Sequence, residues 1–284
     1  RSEPGDPTTA VLGEYAGEEA RQALRERLGL NKPLYSQYFN FVKDVFSFRP
    51  GKSLITGQPV LEEFFSVIGY SLELALSSLV IAISVGISGG FLAFIYSHTS
   101  LDHLFRIVTL FWTSLPSYVL GVLLIMVFST QLGWLPSSGT GTGFLGRMVH
   151  LIMPAISLGV YVSGYIARVT RASMMEISSE DYIQTARAKG LNNTAVLFKH
   201  VLRNSLIPVI TIIGVYVPVV LGGTIVIEAV FVRSGVGSLL LTGVLNRDYT
   251  SVQFTIVVFA FIVCTVNLLV DLTYAWFDPR VRYS

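Results

Sequence analysis

The chain has 284 residues, of which 52% are hydrophobic and only 13% charged, and its mean hydropathy is +0.62. Soluble domains carry about 25% charged residues, so this composition excludes an ordinary soluble enzyme or binding module. A net charge of +2 without a lysine- or arginine-rich tract gives no support for a nucleic-acid partner. The single cysteine, Cys264, excludes an intrachain disulfide framework. Because the apolar residues are collected in long runs, the sequence indicates an integral membrane protein.

Residues 1–68 are predicted to be a small water-facing region with two short helices. Residues 18–28 have a helix-forming composition and are followed by Gly29, which suits the end of a helix. A second helix is indicated by an apolar stripe at helical spacing, which consists of Tyr35, Tyr38, Phe39, Val42 and Phe46. This stripe either packs on the membrane-spanning helices or forms a docking surface for an external partner. Residues 49–59 contain two glycines and two prolines and are predicted to be a turn-rich connector.

The rest of the chain, residues 69–277, is predicted to be the transmembrane domain. A helix needs about 20 mostly apolar residues to cross about 30 Å of hydrocarbon. Five segments reach that length, and none shows the alternation of a barrel strand. They are residues 71–96, 107–130, 149–167, 206–232 and 252–277. The sequence therefore predicts an all-α membrane protein with five transmembrane helices.

The connecting segments predict the orientation of these helices. Segments 98–106, 168–205 and 278–284 lie on one side and hold most of the lysines and arginines between the spans. By the positive-inside rule that side is cytoplasmic, so the tail 278–284 is inside and residues 1–68 are outside. Because the chain starts outside at Arg1 without a signal peptide, we expect a sixth helix upstream of it.

No motif for catalysis or for nucleotide binding stands out. Gly51-Lys52-Ser53 has only the end of a phosphate-binding loop, because Phe46 stands where the first glycine is needed. The four histidines lack the mutual spacing of metal ligands. We therefore expect a chain that is not an enzyme and that binds no cofactor or metal itself.

Segment 168–205 is the most informative part of the sequence. Residues up to Ala188 favour a helix, which Gly190 can end in the left-handed conformation. Asn192 or Asn193 can then cap a second helix. The pattern predicts that the cytoplasmic coupling loop 168–205 forms a helix–turn–helix, and we call its first helix and glycine corner, residues 180–191, the knuckle. The alternative is that this segment is a solvated loop. A simple linker, however, does not need two helices joined at a fixed glycine corner.

The knuckle resembles the corresponding segment of type I ABC importer permeases, and specifically of the dipeptide, oligopeptide and nickel permease family. Their general signature is Glu-Ala-Ala-x3-Gly-x9-Ile-x-Leu-Pro, from which Gln184, Thr185, His200 and Arg203 depart. The peptide subclass shows a form like DYI-x-TARAKGL followed by H-x-LRN-x-L-x-P. The matching positions in this chain are 181–183, 185–191, 200, 202–204, 206 and 208.

Further patches extend the resemblance along the whole chain. Residues 4–7 look like the family motif that follows its first helix, and residues 28–34 resemble its external segment. Glu228 and Phe231, with Gly235 and Gly237, are similar to the family element E-x-x-F-x-x-P-G-x-G, in which Ser234 replaces the proline. Residues 267–272 and 278–283 resemble the family's C-terminal end.

The resemblance implies a type I ABC importer fold in a bacterial or archaeal cytoplasmic (inner) membrane. It also implies a second homologous permease subunit, two ATP-binding subunits that hold ATP and Mg, and an external solute-binding protein. The knuckle is the expected contact with an ATPase subunit. The residues assigned to this contact are Glu180, Asp181, Tyr182, Gln184, Thr185, Ala186, Arg187, Ala188, Lys189, Gly190 and Leu191. Ile183 is expected on the same docking surface.

Signals within the spans are weaker. The candidates for the solute pathway or its gate are Ser117, Glu228, Asn267 and Asp271, because polar groups in a span face the interior or an aqueous space. Gly86 and Gly90 are spaced for close helix packing. Four prolines, at positions 116, 154, 208 and 218, either bend helices around a passage or merely kink them.

Peptides or similar small solutes are the expected cargo. Relatives on the same scaffold carry nickel, glutathione or oligosaccharides, and a fold does not fix its cargo. An ion-coupled secondary transporter is a different class, but it calls for charge relays in the membrane, which are nearly absent here. A structural membrane anchor is a third alternative, which does not explain the proline-containing spans.

Overall fold

The computed structural model describes residues 8, 12–13, 15–27, 29–47 and 49–277, without the side chains of 27, 271 and 273–277. Predictions for residues 4–7, Leu28 and the tail 278–284 fall outside the described residues. The described part is almost entirely helical, with an isolated bridge between Lys52 and Pro59. In chain order the helices are α1 (Glu18–Arg27), α2 (Leu34–Phe46), α3 (Val60–Ile95), α4 (Ser100–Ser114), α5 (Ser117–Gln131), α6 (Gly143–Ser178), α7 (Asp181–Ala188), α8 (Asn193–Val230), α9 (Val236–Leu245) and α10 (Tyr249–Phe277).

Four of the described helices, α3, α6, α8 and α10, are long and apolar enough to cross a membrane. The remaining predicted span, 107–130, is not one helix. It is divided between α4 and α5, which meet at 98°. Pro116 has no N–H to continue the helix, and it holds Leu115 in an extended conformation with ψ 125°. The prediction of one continuous helix is therefore wrong there, whereas the prolines inside α6 and α8 do not interrupt those helices.

The long helices extend beyond the predicted spans. α6 continues to Ser178, although its span was predicted to end at residue 167, and α8 already begins at Asn193 rather than at residue 206. Polar residues end an apolar stretch but do not by themselves end a helix, so residues 168–178 remain helical. The predicted loop 168–205 is consequently reduced to α7 and two short turns. α8 includes a π-helical turn at Val196–Leu202, and α5 ends in another at Ile125–Gln131.

One compact unit comprises Arg1–Ser71 and Ser234–Ile262. In it Gly29 has φ +68° after α1, as expected for the end of a helix. Asp248 caps α10 and is buried, and it accepts hydrogen bonds from the hydroxyls of Ser53 and Ser251. These bonds fix the connector before α3. Phe64 and Phe254 pack edge to face beneath it, with ring centroids 6.1 Å apart.

α2 forms as the apolar spacing predicts, but the aromatic members of its stripe are exposed. Tyr35, Tyr38, Phe39 and Phe46 each keep between 63% and 80% of their surface. Within the described chain these side chains are not buried against other residues. The stripe as a packing surface on the spanning helices or as a docking surface for an external partner therefore stays a prediction.

The second unit comprises Leu72–Arg233 and Val263–Ser284, and α6 is its central helix. α6 packs against α4, α5 and α8 around fully buried residues such as Val162, Ile166 and Ile227. Gly86 and Gly90 of α3 lie against α6, as their spacing predicts. A Cβ at Gly86 would be 2.6 Å from the Cβ of Ile166, so these glycines allow the two backbones to approach closely.

Candidate functional site

The knuckle stands between the ends of α6 and α8. Glu180 is extended (φ −65°, ψ 143°) and starts α7, which ends at Ala188. Gly190 then has φ +79°, a conformation that side chains disfavour, and it turns the chain toward α8. The N–H of Thr194 donates to Oδ1 of Asn192 at 3.1 Å, so Asn192 is the cap that begins α8.

A small apolar core lies beneath α7. Ile183 is fully buried and Ala186 is nearly so, together with Met174 at the end of α6 and Val196 and Val201 at the start of α8. Ile183 and Ala186 therefore face inward, whereas the sequence analysis placed both residues on the docking surface. Their spacing of three residues places both side chains on one apolar face of α7. Burial of this face fixes α7 on α6 and α8.

The outer face of the knuckle consists of the remaining predicted contact residues. All of them are exposed: Glu180, Asp181, Tyr182, Gln184, Thr185, Arg187, Ala188, Lys189, Gly190 and Leu191. The hydroxyl of Tyr182 accepts a hydrogen bond from Nδ2 of Asn204 at 3.0 Å, which ties α7 to α8. A short helix with a buried inner face and a mixed polar outer face is suited to bind another protein as a rigid element.

A charged cluster that sequence analysis did not identify connects α4 to α6. Arg171 binds the carboxylate of Asp102 with two bonds, from Nε to Oδ1 at 3.0 Å and from a terminal nitrogen to Oδ2 at 2.8 Å. Arg106 donates to the same Oδ2 at 2.8 Å. The hydrogen bond from Arg106, with those from Arg171, lowers the pKa of the buried Asp102 carboxyl to about 2. The only sequence signal was the i, i+4 spacing of Asp102 and Arg106, which does not indicate Arg171.

A second cluster joins α3, α6 and the end of α8. Oε2 of Glu73 accepts from Arg233 at 2.8 Å and from Arg147 at 3.0 Å. Arg233 is completely buried, whereas almost half of the Arg147 side chain is exposed.

The E-x-x-F element brings Arg233 into this cluster. Glu228 and Phe231 are buried, and the ring of Phe231 lies so close to Gly121 of α5 that a Cβ there would be 3.0 Å away. α8 ends with the N–H of Arg233 donating to the carbonyl of Glu228 at 2.9 Å, across Val232 in the left-handed region (φ +45°).

The predicted pathway residues occupy different surroundings. Glu228 lies buried in α8, Ser117 is half-buried at the start of α5, and Asn267 is exposed on α10. The side chain of Asp271 is outside the described residues. Within the described ranges no group of three or more His, Cys, Asp or Glu residues is placed to hold a metal ion.

Solved structures with similar folds are subunits of ABC transporters. An inward-facing MetNI methionine ABC transporter superposes with a TM-score of 0.64 at 17% identity, over 78% of this chain and 98% of that chain. An amino acid ABC transporter crystallised with histidines gives a TM-score of 0.57 at 16% identity, over 78% of this chain and 94% of that chain. The helical architecture is thus that of the membrane subunits of ABC importers.

Sequence comparison identifies the family. The model for the binding-protein-dependent transport system inner membrane component matches residues 64–283. The glutathione transport system permease protein GsiC of Escherichia coli strain K12 is 39% identical over 281 residues, which cover 99% of this chain and 90% of the relative. GsiC of Shigella dysenteriae serotype 1 gives the same values. The chain therefore belongs to the family of binding-protein-dependent transport system inner membrane components.

Family membership confirms that the chain is a multi-pass inner-membrane permease subunit of an ABC importer. Permeases of this family generally function together with ATPase subunits and a solute-binding protein. The resemblance of the knuckle sequence to ABC importer permeases is therefore confirmed.

Proposed function

We propose that the knuckle, residues 180–191, docks on an ATPase subunit and couples its closure to movement of the permease. The observation that carries this proposal is the arrangement of α7, which is anchored by Ile183 and Ala186 and presents an exposed outer face. In this proposal the chain pairs with a second homologous permease, and two ATPase subunits hold ATP and Mg²⁺. This chain itself binds no cofactor and catalyses no reaction.

The composition of the outer face supports a modest polar interface. Tyr182 and Leu191 supply exposed apolar surface, and Asp181, Arg187 and Lys189 supply charges of both signs. Interfaces of this kind combine an apolar centre with a polar rim. Because the inner face is buried, a push on α7 moves α6 and α8 with it instead of bending a loop. ATP binding then favours one of two arrangements of these helices by its differential affinity for the two.

The proposed orientation follows from the positive charges. Segments 98–106, 168–205 and 278–284 are placed in the cytoplasm, and residues 1–68 outside. The knuckle is then on the side of the ATPases. The exposed aromatic stripe of α2 is on the side of the solute-binding protein, to which it offers an apolar surface.

The proposed cargo is a peptide or a similar small solute. Relatives at 39% identity are named for glutathione transport, and glutathione is itself a small peptide. Nickel and oligosaccharides are alternative cargoes of the same family. Calorimetry of the partner binding protein with peptides, glutathione, nickel and oligosaccharides decides among them, and binding of nickel or an oligosaccharide alone would contradict the peptide assignment.

A substitution series at Gly190 tests the coupling role. A Cβ at Gly190 would meet nothing within 4 Å, so a side chain there has room and only the φ of +79° resists it. Gly190→Asn tolerates that conformation and should keep uptake within about twofold of wild type. Gly190→Pro fixes φ near −65° and should abolish ATP-driven uptake, while the ATPases hydrolyse ATP without solute.

Uptake and ATP hydrolysis are measured in proteoliposomes with the complete transporter. Co-purification of the ATPase subunits with each variant shows whether docking or coupling is lost. The coupling assignment is wrong if Gly190→Pro transports as well as Gly190→Asn. The importer assignment itself fails if this chain alone drives uptake without ATPase subunits.

A further inference from the structure

Three tyrosines from two spanning helices pack in series in the second unit. The rings of Tyr161 and Tyr165 on α6 lie edge to face with centroids 5.6 Å apart, and the ring of Tyr216 on α8 is 4.8 Å from Tyr165. The guanidinium carbon of Arg168 lies 4.8 Å from the Tyr165 centroid. The tyrosines are half-buried and Arg168 is exposed. We call these four side chains the tyrosine ladder.

The depth of the ladder distinguishes it from an aromatic belt at the membrane surface. Tyr161 lies three residues beyond the middle of the predicted span 149–167, and Tyr216 three residues before the middle of 206–232. At a rise of about 1.5 Å per residue, the predicted spans place both residues about 4.5 Å from the membrane centre, on the proposed cytoplasmic side. Belt residues lie about 15 Å from the centre, which is the depth of Arg168. The ladder therefore runs from near the centre to the cytoplasmic boundary.

Polar groups at that depth are costly against lipid and favour protein or an aqueous path. The neighbouring hydroxyls of α6 bond to their own helix. Ser163 and Thr170 donate to the carbonyls of Val160 and Ile166 on the face that packs against α3, and Ser157, on the tyrosine face, donates to the carbonyl of Pro154. The half-buried tyrosines, which interact with one another through Tyr165, are the larger polar side chains on the other face of α6 and on α8.

The chemistry of the ladder fits a zwitterionic solute. Within the described part of the chain no carboxylate lies within salt-bridge distance of Arg168, whose guanidinium rests on a ring instead. A guanidinium can bind a carboxylate with two parallel hydrogen bonds. Ring faces attract an ammonium group, and phenol hydroxyls bond to peptide groups.

We propose that the tyrosine ladder lines the cytoplasmic half of the solute path and that Arg168 binds the carboxylate of a peptide-like solute before its release. This inference rests on the proposed importer function. It names the four side chains of the tyrosine ladder as the solute contacts, rather than Ser117, Glu228, Asn267 or Asp271.

Photo-crosslinking of a probe to the ladder tests the path. A benzophenone amino acid replaces Tyr161 in the complete, ATP-free transporter in detergent, and the probe is tritiated trialanine added without binding protein. Ile152 is the matched control position, because it is exposed on the same helix and lies about two and a half turns away, on the opposite face. We expect at least fivefold more captured trialanine at 161 than at 152. Capture of only lipid or a second permease at 161 would overturn the inference.

Removal of the charge tests the role of Arg168 in the same assay. Arg168→Gln should lower capture of trialanine at least fivefold and leave capture of its C-terminal amide within twofold. Arg168→Lys should restore at least half of the capture. Lys199→Gln removes an exposed positive charge from the same proposed side of the membrane and should leave the capture of both probes unchanged. Equal losses for trialanine and its amide, or equal effects of Lys199→Gln, would contradict carboxylate binding.

Uptake by the same preparation distinguishes failure of the proposed ladder from failure of the proposed cargo. With binding protein and ATP present, uptake of trialanine without capture at 161 overturns only the ladder. A complex that takes up no peptide under these conditions contradicts the proposed cargo and, with it, this inference.

Discussion

Asp102 joins α4 to α6 because two arginines from these helices converge on its carboxylate. The side chain of Asp102 is only 4% exposed, and Arg171 is 21% exposed, so the pair is shielded from solvent on both sides. Such shielding strengthens the attraction and also raises the cost of leaving one partner alone. The cluster is therefore expected to hold the amphipathic α4 in place where Pro116 has separated it from α5.

Replacing Asp102 by asparagine should destabilise the protein. The amide cannot neutralise Arg171, and loss of the charged hydrogen bonds should cost about 1–3 kcal/mol, which lowers the apparent Tm of the purified protein. Arg106→Gln is the control and should have a smaller effect, because more than half of the Arg106 side chain is exposed. A Tm for Asp102→Asn at or above that of Arg106→Gln would contradict the structural role of the Arg171 pair.

The pKa of Asp102 predicts how this difference depends on pH. The folded pKa of about 2 is below the ordinary value of 3.8, so the ionised carboxylate stabilises the folded state above pH 3.8. That stabilisation is lost as the pH falls from 3.8 toward 2. The difference in Tm between wild type and Asp102→Asn should stay constant from pH 8 to pH 5 and shrink below pH 4. If this Tm difference changes between pH 8 and pH 5, a titrating group other than Asp102 is responsible for it.

Val232 is a residue at which a substitution should stabilise the protein. It is β-branched, it has φ +45°, and its side chain is 71% exposed. Val232→Gly relieves the left-handed strain, partly offset by the larger entropy of the unfolded chain, for a net gain of about 0.5–1 kcal/mol. Val226→Gly, in the interior of α8, should instead lose about 0.5 kcal/mol, because glycine is less favourable than valine inside a helix. The apparent Tm values of both variants check this, and a fall for Val232→Gly would show that Val232 makes a needed contact.

At the scale of the helix, the contact between α3 and α6 depends on small residues. A Cβ at Gly90 would be 2.5 Å from the carbonyl oxygen of Ala167, whereas one at Gly89 would be 3.8 Å from the Cβ of Ala167, an ordinary contact. Close backbone approach of this kind cannot adapt by a change of rotamer.

Gly90→Ala should therefore force the two helices apart and cost about 1–3 kcal/mol. Gly89→Ala adds the same methyl group to the same helix without a clash and should leave the stability unchanged or slightly increased. Thermal unfolding of the two variants in detergent gives the comparison. Equal Tm values would show that α3 and α6 are not packed as closely as the structure indicates.

The helices also show what a sequence can and cannot predict. Hydropathy located the long spans, and Gly190 with Asn192 located the corner of the knuckle, because both depend on local chemistry. The inward orientation of Ile183 and Ala186 depends on the apolar end of α6 and the start of α8, which are distant in the sequence. The same holds for Arg171, whose partner Asp102 is 69 residues away. Pro116 was noted, but only packing decides that it breaks a helix that Pro154 and Pro208 do not.

At the scale of the whole molecule, the lengths of α6 and α8 predict that the knuckle lies outside the membrane. α6 has 36 residues and α8 has 38, or about 54 and 57 Å, whereas the hydrocarbon core is about 30 Å thick. Both helices extend past their predicted spans at the end that carries α7. The knuckle is thus held by two helices about 16 Å beyond the predicted boundary at residue 167.

The orientation of the molecule is testable by labelling single cysteines. In a Cys264→Ser background, Gln58→Cys lies in the exposed connector before α3 and Asn193→Cys lies at the exposed start of α8. A membrane-impermeant maleimide should label position 58 in intact spheroplasts and position 193 only after permeabilisation, because the positive charges concentrate near 193. Labelling of position 193 in intact spheroplasts would place the knuckle on the outer face, where no ATPase can reach it, and would refute the coupling proposal together with the orientation.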